Sequence, residues 1–132
     1  MKQITIISED HPGVMAEIAE AMATAGVNIE TLDAETIGSS GVIILTVDRY
    51  DAALRALART PYKAVSEDAI VIQLEDKPGE LARITRRFKQ ANINLQSVRI
   101  LRRDPTSGKT IVAVSTPRTE EAMALLEDVM IS

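Results

Sequence analysis

The chain has 132 residues, 45% hydrophobic and 26% charged, with a net charge of −4: the composition of a globular protein, not a disordered one. It has no cysteine and one histidine, which excludes disulfides and thiolate chemistry and leaves no cluster of nitrogen ligands for a transition metal. Acidity combined with 2% aromatic residues leaves neither the positive footprint nor the stacking platform of a nucleic-acid binder.

Taken in chain order, the predicted elements come twice. Residues 4–29 and 70–95 align without a gap at a constant offset of 66: Asp10, Pro12, Gly13, Ile18 and Asn28 recur as Asp76, Pro78, Gly79, Ile84 and Asn94. This is a duplicated module, with domains at 1–66 and 67–132. Each half is near the lower size limit for a core that folds alone, so the halves are expected to lean on each other or on a second copy.

Residues 3–8 alternate around Ile4 and Ile6, and residues 69–75 around Ile70, Ile72 and Leu74, as strands with one buried face do. Pro12 and Pro78 suit a first helical turn, where a missing N–H is tolerated. Behind them Met15, Ile18, Met22 and Ala25, or Leu81, Ile84, Phe88 and Ala91, fall at the three-and-four spacing of an amphipathic helix. Gly26 and Asn92 accept left-handed geometry at the helix end, and a second strand follows from Val27 or Ile93. Its apolar positions change from odd (Val27, Ile29) to even (Leu32, Ala34), with the same shift between Leu95 and Val98, which predicts bulges near Glu30/Thr31 and Gln96/Ser97. Third strands are expected at 42–47 and 111–115, where the offset becomes 68, as if two residues entered at a hairpin tip. Second helices at 52–58 and 120–127 and short last strands at 62–65 and 128–131 complete each half. The fold class is α+β: two ferredoxin-like βαββαβ domains, each an antiparallel sheet with helices on one face.

Chemistry concentrates at the junction of first strand and first helix, SEDHPGVM and LEDKPGEL. A glycine just inside a helix start leaves the N–H groups of Gly13, Val14 and Met15, or of Gly79, Glu80 and Leu81, uncovered at the positive end of the dipole, where a carboxylate fits. The same letters are equally explained if Asp10 and Asp76 cap the helix and Pro-Gly shapes the turn. Asn28 and Asn94 stand at the start of a strand, where β-propensity disfavours Asn, and their amides offer an acceptor and two donors to a zwitterion.

Asp-x-Pro-Gly, a helix, and then Gly-Val-Asn-Ile or Ala-Asn-Ile-Asn-Leu resembles the ACT domain, a small amino-acid-binding module of allosteric enzymes and stand-alone regulators. The resemblance covers both halves. It implies that the strand-to-helix loop and the start of the second strand from a neighbouring module jointly hold a free amino acid or similar small effector. The loop positions it implies are Asp10, His11, Gly13, Val14 and Met15, and Asp76, Lys77, Gly79, Glu80 and Leu81; the strand positions are Asn28, Ile29, Asn94 and Leu95. Asn92 stands where the family has glycine, and Lys77 and Glu80 make the second loop more charged, so one ligand for both repeats is not implied.

Other uses of this fold lack their residues. Neither loop carries the arginine of an acylphosphatase-like phosphate site, and one histidine with scattered serines gives no set of nucleophile, base and orienter. His11 beside Pro-Gly suits a ligand contact or a turn residue better than a proton carrier. No catalytic residue, cofactor or metal is therefore expected. No apolar run approaches the roughly 18 residues of a membrane span, and the opening MKQITIISEDHPG is too briefly apolar for a signal peptide, so a soluble cytoplasmic protein is expected. The expected function is a non-catalytic amino-acid sensor, binding at sites between modules. The alternative is a regulatory subunit of an amino-acid biosynthetic enzyme, similar to an acetolactate synthase small subunit. Apolar second strands left at sheet edges predict a homo-oligomer, a dimer first of all. Glu17 and Glu20 correspond to Arg83 and Arg86, an inversion that favours pairing of unlike first helices.

Overall fold

The computed structural model describes residues 2–66 and 68–131, and the chain forms two compact units that divide after residue 67. In the first unit, Ile4 and Ile6 fall on one face of strand β1 (Gln3–Glu9) and are fully buried. Helix α1 (Val14–Thr24) meets them with Val14, Ile18 and Met22 at four-residue spacing. Strands β2 (Ile29–Ile37) and β3 (Ser40–Val47), helix α2 (Tyr50–Leu57) and strand β4 (Lys63–Val65) follow. The sheet order is β2-β3-β1-β4 with antiparallel pairs throughout. Ile43 and Leu45 of β3, with Ala53 and Leu57 of α2, close the helix-side core.

The second unit repeats this plan with β5 (Ala69–Glu75), α3 (Glu80–Gln90), β6 (Ser97–Asp104), β7 (Lys109–Ser115) and α4 (Thr119–Leu126). Its core gathers Ile70, Ile72, Ile84, Phe88, Val112, Val114 and Leu126. The predicted fourth strand at 128–131 is not formed. The sheet is β5-β7-β6, and the segment touches β5 through one antiparallel bridge, Ile72 with Met130. Glu127 to Val129 are still turning out of α4, which leaves too few extended residues to pair.

Both first helices end in the same motif. Gly26 and Asn92 have positive φ, +70° and +55°; the N–H of the following residue donates back to the carbonyl five residues earlier, Val27 to Met22 and Ile93 to Phe88, each at 2.9 Å. A guanidinium covers the last carbonyls in both, Arg49 on Ala25 and Gly26, Arg118 on Asn92. The second strands start later than the pattern suggests, at Ile29 and Ser97. The bulge at Glu30 is present, between Ile29 and Thr31. In the second unit the shift is not at Gln96/Ser97, which lies at the strand's entry, but between Ile100 and Arg102. There the extra residue, Leu101, is buried (5% exposed), while Ile100 pairs with Val112 on the helix side and stays more exposed. The hairpin tip does hold two added residues, Ile37 pairing Ser40 against Asp104 pairing Lys109.

Arg87 at the end of α3 grips the Asp128 carboxylate with two bonds, 2.6 and 2.9 Å, and also donates to the Leu125 carbonyl. The guanidinium holds the Asp128 carboxyl below its ordinary value. A lowered folded-state pKa stabilises the protein above the unfolded value, and that contribution is lost as pH falls through the folded one. The pair is partly exposed, so Arg87→Met is expected to cost about 1 kcal/mol or less at neutral pH. The gap from the parent in urea midpoints should narrow once pH drops below the carboxylate range.

Candidate functional site

Each strand-to-helix loop is built around a glycine in left-handed geometry. Gly13 (φ +94°) and Gly79 (φ +89°) are the N-caps of α1 and α3, and no side chain caps either helix. This corrects two expectations: Pro12 and Pro78 precede the cap and do not occupy the first turn, and glycine is needed for its backbone. A Cβ at either position would meet nothing within 4 Å, so the constraint is φ and not space. Asp10 and Asp76 are not helix caps. The Glu17 and Arg83 N–H groups make the first bonds of their helices, to the Gly13 and Gly79 carbonyls, both at 2.9 Å. The Met15 and Ala16 amides, and those of Leu81 and Ala82, precede that ladder and have no acceptor within the helix.

These amides open onto a cleft of about 230 Å³ in the first unit, lined by Ser8, Asp10, His11, Gly13, Val14, Met15, Ala16, Ala34, Gly41 and Ile43. Its floor follows from strand register. Ile4, Ile6 and Ser8 lie on the helix side of β1 opposite Leu45, Ile43 and Gly41, so Ser8 and Gly41 form the last layer of that face, beneath the helix start. A Cβ at Gly41 would come within 3.4 Å of Ser8 Oγ and 3.9 Å of Asp10 Oδ1, so its absence keeps the floor open. Ser8 is 7% exposed, and its hydroxyl has no hydrogen-bond partner among the described residues. Asp10 accepts a 3.4 Å bond from Thr36, and its N–H donates to the Ser39 carbonyl at 2.8 Å.

The second unit has the same cleft, reduced to about 130 Å³ and lined by Leu74, Glu75, Asp76, Lys77, Glu80, Leu81, Ile100, Arg103, Thr110 and Val112. Leu74 opposite Thr110 replaces Ser8 opposite Gly41, and Ile100 replaces Ala34; bulk accounts for the smaller volume. Thr110 Oγ1 is again a buried hydroxyl without a partner. Glu80 is held by Arg83, whose hydrogen bond keeps its carboxyl below the ordinary value.

The loop residues named from sequence thus line the two clefts, except Gly79, which only shapes its loop; the strand residues do not. Asn28 is exposed at the far end of the sheet, its N–H on Asp48 Oδ1 at 2.8 Å. Asn94 is likewise exposed and accepts from Thr116 at 2.9 Å through its carbonyl. Ile29 and Leu95 pack toward the helix-side cores. Since Ile29 pairs with Val47 while Gly41 floors the cleft, some 20 Å of strand separates Asn28 from the Asp10 loop at about 3.3 Å per residue, too far for one amino acid to touch both within a unit.

Ser8, Ala34, Gly41, Ile43, Ile100, Arg103, Thr110 and Val112 were not singled out from sequence. The available signal was Ser8, a polar residue in the buried phase set by Ile4 and Ile6. Glu17 and Arg83 each have a partner in their own unit: the Tyr62 hydroxyl donates to Glu17, which pushes the tyrosine pKa up, and Arg83 binds Glu80. Among the described residues no group of three His, Asp or Glu is placed to hold a metal ion, and no helix is long and apolar enough to cross a membrane.

Comparison with known proteins gives two family matches, the AHAS small subunit-like ACT domain over residues 4–61 and the ACT domain over residues 69–129. No curated protein matches the chain. Among solved structures it is similar to a protein of Bacteroides thetaiotaomicron (19% identity, 98% of this chain and 89% of that one, TM-score 0.48). It is also similar to the regulatory subunit of aspartate kinase from Thermus thermophilus (19%, 96% and 91%, 0.45) and from Thermus flavus (20%, 96% and 90%, 0.45). Both matched segments contain a strand, the left-handed glycine and the helix start that build a cleft: the chain belongs to the ACT family, as two ACT-type domains in tandem.

Proposed function

We propose that this tandem ACT chain is a non-catalytic regulator that binds a free amino acid at its strand-to-helix clefts. The observation that carries the proposal is the first cleft, where three complementary groups converge. Uncommitted amides at the α1 N-terminus suit a carboxylate, Asp10 suits an ammonium, and the unpartnered Ser8 hydroxyl suits a polar atom of the ligand. Val14, Met15, Ala34 and Ile43 supply apolar walls. Asn28 and Asn94, distant from the clefts of their own units, are free to complete a cleft of another module. A thermal-shift screen against the free amino acids tests this: a ligand at 100 times its Kd should add about 2.7 kcal/mol of stability.

A second reading, a regulatory subunit of an amino-acid biosynthetic enzyme, is favoured by the family matched over residues 4–61, the AHAS small subunit-like ACT domain. Recovery of a large catalytic chain in stable complex would select it. In either case a homo-oligomer, most simply a dimer, is proposed. The edge strand β2 leaves Leu32 43% exposed, and an unpaired edge of nine residues invites pairing. Light scattering is expected to give twice the chain mass; a clean monomer with and without ligand would contradict this.

A further inference from the structure

The two clefts share a plan and differ in charge. In the first, the Asp10 carboxylate meets only the Thr36 hydroxyl among the described residues, and no lysine or arginine lines the cleft. In the second, the residue at the strand position of Thr36 is Arg103, and its guanidinium lies 2.5 Å from Asp76 Oδ1. The neighbouring carboxylates are paired as well, Glu75 with Lys109 and Glu80 with Arg83. Lys77, on the loop itself, makes no ion pair among the described residues and lines the cleft. An ammonium entering here finds every carboxylate engaged and approaches the like charges of Arg103 and Lys77. A carboxylate finds the opposite: the Leu81 amide at the positive end of α3, the Lys77 ammonium, and a hydroxyl to bond. That hydroxyl is the independent sign of a ligand. Thr110 is 6% exposed, lines the cleft, and its Oγ1 has no partner among the described residues, a condition that costs free energy until something polar satisfies it.

We infer that the second cleft takes a small carboxylate that bears no α-ammonium, of the 2-oxo acid class, while the first takes the amino acid. The first-cleft half rests on the function proposed above; the second-cleft half stands on the charges around Thr110. The chain would then read an amino acid against its deaminated counterpart.

Backbone-amide NMR of the full chain reads both clefts in one sample. Alanine and pyruvate are matched probes, differing only in amino against oxo at one carbon; aspartate with oxaloacetate and glutamate with 2-oxoglutarate extend the series. An oxo acid is expected to shift the Leu81 amide saturably, and its amino partner is not. Thr110→Val, which keeps the shape and removes the hydroxyl, should weaken that binding about tenfold. Arg103→Thr, which installs the first repeat's residue and frees Asp76, should let the amino acid shift Leu81. Equal responses of this amide to both members of every pair, or no response to any oxo acid, would overturn the assignment of the second cleft. Silence of Met15 and Ala16 toward every amino acid would instead overturn the first-cleft half and the proposed function with it.

Discussion

Phe88→Ala should remove about 3–5 kcal/mol from the second unit, the range for emptying a large aromatic site in a packed core. Phe88 is 1% exposed and is the largest fully buried side chain of the chain. It packs with Ile70, Ile72, Ile84, Val112 and Leu126, and β7, which carries Val112 and is hydrogen-bonded to a strand on each side, cannot collapse into the void. At roughly 0.05–0.15 kcal/mol per residue, a unit of this size has little more stability than that to lose. Both tyrosines, Tyr50 and Tyr62, lie in the first unit, so urea unfolding followed by tyrosine fluorescence reports that unit alone, while far-UV circular dichroism reports both. The variant is expected to lose dichroism at a much lower urea concentration than it loses the native tyrosine signal. A parent-like dichroism midpoint would contradict the account of this core.

Gly13→Ala and Gly79→Ala should each cost about 1–2 kcal/mol although the added methyl touches nothing. The penalty is that of placing an L side chain in left-handed geometry, since φ is +94° and +89° at the two N-caps and the space around each Cβ is open. For a domain of this size that corresponds to a fall in Tm of roughly 4–8 °C per kcal/mol. Asn tolerates this region better than Ala, so Gly13→Asn should fall by less. If alanine leaves Tm unchanged, the loop does not depend on its backbone twist. For the same reason a bulky residue at Gly13 is a poor probe of binding, because lost folding would be read as lost affinity.

Most of the fold was legible because it rests on local pattern. Alternation at Ile4 and Ile6, helical spacing at Ile18 and Met22, and the left-handed residues Gly26 and Asn92 each mark an element from a few neighbouring letters. What failed depends on contacts far apart in sequence. Ile100 and Leu101 are both apolar, so the letters do not say which one leaves the ladder, and the bulge was expected five residues too early. The residues at 128–131 could pair only if α4 released them sooner. The candidate site divides in the same way. Its rim is a contiguous motif, whereas its floor, Ser8 against Gly41 and Leu74 against Thr110, exists only once antiparallel register brings together residues 33 and 36 positions apart. Asn28 was legible as unusual, but its distance from the Asp10 loop of its own unit is a property of the sheet, whose full length lies between them.

Whether an amino acid sits in the first cleft with its ammonium on Asp10 is decided by calorimetry. The amino acid with the largest thermal shift is titrated into the full chain and into Asp10→Asn, a change at an exposed loop position that removes the charge and keeps the shape. Saturable binding to the parent is expected, with at least about tenfold weaker binding to the variant, since a hydrogen bond to a charged group contributes about 1.5–3 kcal/mol. Equal affinity for the two proteins, or no heat with any free amino acid, would contradict that placement.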